Sequence, residues 1–93
     1  MKRTYLLIYS DRLGTREKIK EFLDGRSEIL NWRYDLPHTF YLVSNLSAEE
    51  LYEIIQRYNQ ERGLFLISEV GENTQGWLPA KSWMLLNAEY ARH

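Results

Sequence analysis

Few residues in this chain are equipped to do chemistry. Four acids, Asp11, Asp35, Glu69 and Glu72, stand nearest the ends of apolar, strand-like runs. Carboxylates in such places converge on hard cations, and Mg²⁺ commonly takes two or more of them. One Asp per copy across a two-fold axis meets that number. On that alternative reading Asp11 is the candidate catalytic and metal-binding residue, with Mg²⁺ as its cofactor. The favoured reading makes Asp11 a solvated turn residue and Asp35 an ordinary turn former before Pro37, with no catalytic residue, metal or cofactor. His38 is the one histidine inside the apolar pattern, since His93 is terminal. As a general base it has no cysteine to activate, and the sequence singles out no serine for it. Two histidines and no cysteine fall short of a histidine-based zinc site, which takes three or four protein ligands. Gly71 and Gly76 are too far apart, with the wrong neighbours, to form a phosphate-cradling loop.

A second set of residues is suited to stacking. Trp32, Tyr34 and Tyr41, with Arg33 and Arg12, have the composition of a nucleic-acid-binding sheet surface. The strand-like run His38-Thr39-Phe40-Tyr41-Leu42-Val43 lacks the basic-Gly-aromatic-Gly-aromatic string of RNA-recognition domains. Net charge is −1, from 12 basic and 13 acidic residues, so no excess of positive charge recommends a phosphate backbone as partner. Packing beneath the C-terminal segment or across a dimer is the favoured reading of these aromatics.

The elements that position these residues follow from periodicity. Residues 4–10, with Tyr5-Leu6-Leu7-Ile8-Tyr9 at their centre, form a run of β-formers closed by Ser10-Asp11-Arg12 and Gly14. Ile19, Phe22 and Leu23 recur at helical spacing between Thr15, a cap, and Gly25, a stop. Residues 28–34 and 39–44 read as two strands of a hairpin, broken by Asp35-Leu36-Pro37. Ser47-Ala48-Glu49-Glu50 is a capping box that opens a helix carrying Leu51, Ile54, Ile55 and Tyr58 on one stripe. Residues 64–70 are a fourth strand-like run between Gly63 and Gly71. Beyond a turn-rich stretch, Pro79 suits the first turn of a short helix over 80–87. Residues 1–87 thus predict one domain, with 71–87 as a docking segment and 88–93 as a frayed tail.

A βαββαβ order predicts an α+β, ferredoxin-like fold, a four-stranded antiparallel sheet with two helices on one face. Three of the strands are apolar in both phases, whereas a sheet with one wet face alternates. The second face therefore needs a cover, from the C-terminal segment, from a second copy of the chain, or from both. Trp77, Trp83, Met84 and Leu86 represent too much apolar area for a dangling tail. No run approaches the ~18 apolar residues of a membrane span, and the apolar run near the start is too short for a signal peptide, so a cytoplasmic address with no membrane partner is expected.

Tyr5 to Asp11 followed by a helix, Trp32 to Val43 as strand, turn and strand, and Leu46-Ser47-Ala48-Glu49-Glu50-Leu51 opening the second helix resemble the small SinR-type proteins of bacteria. More distantly, they are similar to the CRISPR-associated endonuclease scaffold that dimerises within the spacer-integration complex. The likeness spans roughly residues 4–70 and implies a ferredoxin-like dimer. In the endonuclease family an aspartate ends the first strand, where two protomers share a divalent metal. Here Ser10 follows Tyr9 and the acid comes one place later, as Asp11, which turns the carboxylate to the other face if the strand continues. For the SinR-type proteins the resemblance implies no established activity.

The resulting expectation is a homodimeric interaction module without catalysis of its own, with Tyr5, Tyr9, Trp32, Tyr41, Trp77 and Trp83 at its interfaces. Its rivals are a metal-dependent nuclease using Asp11 and a regulatory domain that holds a small molecule at the dimer seam.

Overall fold

The computed structural model describes residues 1–87; the expected fraying of 88–93 lies outside the described residues. Strand β1 (Arg3–Tyr9) leads through a short 3-10 turn into α1 (Arg16–Asp24), followed by β2 (Ile29–Arg33), β3 (Thr39–Ser44), α2 (Ala48–Asn59), β4 (Phe65–Glu69) and α3 (Ala80–Leu86). The local signals act as their chemistry requires. The Thr15 hydroxyl accepts from Lys18 N–H at the start of α1. Ser47 and Glu50 form both halves of the capping box on α2.

The protein is α+β, with one four-stranded antiparallel sheet ordered β2-β3-β1-β4. Register assigns the faces. Tyr5, Leu7 and Tyr9 of β1 lie beside Phe40 and Leu42 of β3, and all five join Ile19 and Leu23 of α1 and Leu51 and Ile55 of α2 in the main core. The opposite phase builds a smaller cluster, in which Tyr41 and Val43 of β3 meet Leu85 and Leu86 of α3, flanked by Leu6, Val70, Leu78 and Trp83. The C-terminal segment thus docks on the second face, as its apolar content requires.

Trp77 does not take part. Its side chain is 99% exposed, because Leu78 and Trp83 fill the places against Tyr41 and Val43. The expectation that Trp77 docks on the sheet is therefore corrected.

Candidate interaction surface

Asp11 lies in the 3-10 turn directly after β1, and His38 closes the β2–β3 turn with a left-handed φ of 55°. Although 27 positions apart in sequence, His38 Nε2 and Asp11 Oδ1 are 2.5 Å from each other. The antiparallel pairing of β1 with β3 brings them together, Tyr9 N–H donating to the His38 carbonyl at 3.0 Å. They border a shallow hollow of about 160 Å³ with Tyr9, Thr15 and Arg16. Burial raises the Tyr9 phenol, against the opposing pull of Arg16, whose guanidinium stacks 4.3 Å over the Tyr34 ring.

An Asp that orients a His is half of a general-base arrangement. The neighbouring Ser10 hydroxyl is otherwise engaged, accepting from Leu64 N–H at 2.9 Å to hold the start of β4. The four acids at strand ends do not converge. Asp35 pairs with Arg33 and accepts from the Ser82 hydroxyl, and Glu69 stands opposite Tyr5 at the far end of β1. Among the described residues, no three His, Asp or Glu side chains gather to hold a metal ion.

The residues expected at an interface separate by depth and face. Tyr5, at 0% exposure, and Tyr9 belong to the main core, where the Tyr5 hydroxyl donates to the Leu46 carbonyl at 2.6 Å. Tyr41 is buried under α3. Tyr5 and Tyr9 are corrected from interface to core, because the odd positions of β1 face the two long helices, whereas Tyr41 lies beneath the C-terminal segment, one of the two places expected for it. Trp32 is half-buried on the helix side, where its indole N–H donates to Asp24 at 2.7 Å. Tyr34 stacks beside it, 6.2 Å away. Trp83 is half-buried against the second cluster, and Trp77 is open to solvent. The aromatic set is thus divided between two faces and forms no continuous stacking platform.

The two outer strands are dissimilar. On β2 the register shifts between Ile29 and Asn31, a β-bulge. The Asn31 side chain accepts the Trp32 N–H at 2.8 Å, which satisfies an amide that alternation turns toward the open edge. At the strand's end, Arg33 Nε donates to Ser82 Oγ at 2.5 Å, and that hydroxyl donates to Asp35. Together with the Thr4 hydroxyl bond to the Leu85 carbonyl at 2.8 Å, this ties α3 across the second face.

On β4 the pairing to β1 is regular over all five residues. Val70 N–H donates to Thr4 and Leu64 accepts from Ser10, so even-numbered positions bond inward. Phe65, Ile67 and Glu69 consequently turn their N–H and carbonyl groups outward. No turn or loop among the described residues bonds to them. Leu64 is 82% exposed and Leu66 58%, and with Ile8 they flank a shallow apolar hollow at this edge. Nothing singled out this edge from the sequence, although Leu64-Phe65-Leu66-Ile67 carries the signal, four apolar residues without Pro, Lys or Gly.

Comparison with known proteins gave no family model, curated protein or solved structure that matches this chain. No helix among the described residues is long and apolar enough to cross a membrane.

Proposed function

We propose that the chain is a homodimeric interaction module of ferredoxin-like fold whose two copies join along β4. The strand order β4-β1-β3-β2 and the placement of α1 and α2 on one face support that fold. The observation that carries the dimer is the edge of β4. Natural sheets blunt an exposed edge with Lys, Pro, a bulge or a covering loop, because a bare row of amides templates strand addition. Here β2 is blunted, and nothing among the described residues blunts β4. A two-fold axis through β4 makes the edge its own partner, in antiparallel register, and each copy satisfies the outward amides of Phe65 and Ile67 of the other. With Leu66 on the axis, Phe65 of one copy lies opposite Ile67 of the other, so apolar side chains occupy the centre and the two Glu69 carboxylates stay apart.

This reading assigns no catalytic step. The nuclease alternative needs Asp11 free to share a Mg²⁺ ion with a second copy, and in this chain the Asp11 carboxylate is engaged by His38. Sedimentation equilibrium at micromolar concentration is the test. The expected mass is twice the 11.2 kDa of the chain, and a monomer at all concentrations overturns the reading.

A further inference from the structure

We infer that in this two-copy assembly, on which the inference rests, α2 packs antiparallel against α2 of the second copy, with Arg57 of each helix facing Glu49 and Glu53 of the other. Stable interfaces bury about 800 Å² per partner, more than one five-residue strand pair provides, so the layer above the sheet must contribute. That layer is α2. The Tyr52 ring stacks on Phe65 of β4 at 5.6 Å, and the Asn59 amide donates to the Gly63 carbonyl at 2.8 Å. Leu51 and Ile55 join the β1 side chains in the core, so α2 spans the β1–β4 pair; with paired strands ~4.8 Å apart, a helix about half a strand spacing in from the edge comes to roughly 10 Å from its symmetry copy, the ordinary spacing of packed helices.

The surface that α2 presents at this side is partly apolar and open. Tyr52 is 47% exposed and, with Glu53, Gln56 and Arg57, borders a shallow hollow of about 260 Å³. Charge along the helix is polarised, with Glu49, Glu50 and Glu53 in the first half and Arg57 in the second. Glu50 is occupied by the capping box, and among the described residues Glu49, Glu53 and Arg57 make no ion pair. An antiparallel contact sets the acidic half of one helix on the basic half of the other and opposes the two helix dipoles, whereas a parallel contact sets like on like.

A charge exchange tests this by sedimentation and native mass spectrometry. Arg57→Glu alone and the double variant Glu49→Arg/Glu53→Arg alone are each expected to self-associate at least about tenfold more weakly than the native chain. All three positions are exposed, so circular dichroism should report native helix content in both variants. An equimolar mixture should yield mainly the heterodimer, in which opposite charges face each other again. A native dimer whose variants associate normally, or whose mixture shows no preference, overturns the helix arrangement while leaving the β4 dimer in place. A native chain that is monomeric overturns both.

Discussion

The two edges of one sheet are finished in opposite ways. At β2 the strand is bulged, its Trp32 amide is taken by Asn31, and the chain leaves through Arg33 and Asp35, which hold Ser82 of α3. At β4 the ladder is regular, and the amides of Phe65, Ile67 and Glu69 face outward beside exposed Leu64 and Leu66. Both strands belong to the same small domain and meet the same solvent. Edge protection is thus installed residue by residue, and where it is left out the sheet retains a surface that can pair.

The largest effect is expected where β4 is pinned. A Cβ at Gly63 would stand 2.3 Å from Leu13 N and 2.6 Å from the Arg12 carbonyl carbon, both backbone atoms of the turn after β1. Gly63→Ala should cost about 3 kcal/mol, the upper range for overpacking, and should detach the start of β4. Urea unfolding checks it, and a midpoint within error of the native one would show that the open edge is not anchored there.

A smaller effect is expected on the β2 side, beneath α3. Burial pushes the Tyr41 phenol up to about 12, the Asp35 carboxylate adding to the rise and Arg33 opposing it. Its buried oxygen has no hydrogen-bond partner. Tyr41→Phe should therefore be neutral or stabilising by up to about 1 kcal/mol, since it removes an unsatisfied polar group. The pH dependence has a definite sign. Between about pH 10 and 12 the unfolded chain ionises this phenol while the folded chain keeps its proton, so folding stability falls as pH rises through that window. Thermal melts across it should show a shallower decline for Tyr41→Phe. An equal decline would place another group in control.

Much of the architecture was readable in the chain because its signals are local. The capping box at Ser47, the Ile19 and Leu23 stripe and the Pro37 break each act within a few residues, and the elements lie within one or two positions of where those signals set them. The faces were not readable. Tyr5, Leu7 and Tyr9 are apolar, and so are Leu6 and Ile8, so alternation carries no information about which phase meets α1 and α2. Hence the pattern that suggests Tyr5 and Tyr9 for an interface is equally that of a core. The Asp11–His38 pair and the Arg33–Ser82–Asp35 contacts join residues 27 to 49 positions apart, beyond the reach of any local pattern. Trp77 shows the limit of an area argument, which fixes how much apolar surface should be covered and not which side chains cover it. The β4 edge was present as a composition, but its significance required knowing that β4 is the outermost strand.

Amide hydrogen exchange by NMR, at concentrations spanning the association equilibrium, tests the contrast between the edges most directly. Alternation makes Phe65 and Ile67 the reporters for one edge, and Trp32, whose amide the Asn31 side chain takes, the reporter for the other. Phe65 and Ile67 should become protected as concentration rises and lose that protection in Leu66→Lys, which puts charge at the two-fold axis, while exchange at Trp32 stays independent of concentration throughout. If Phe65 and Ile67 exchange freely under conditions where sedimentation finds a dimer, the copies meet elsewhere and the β4 account is contradicted.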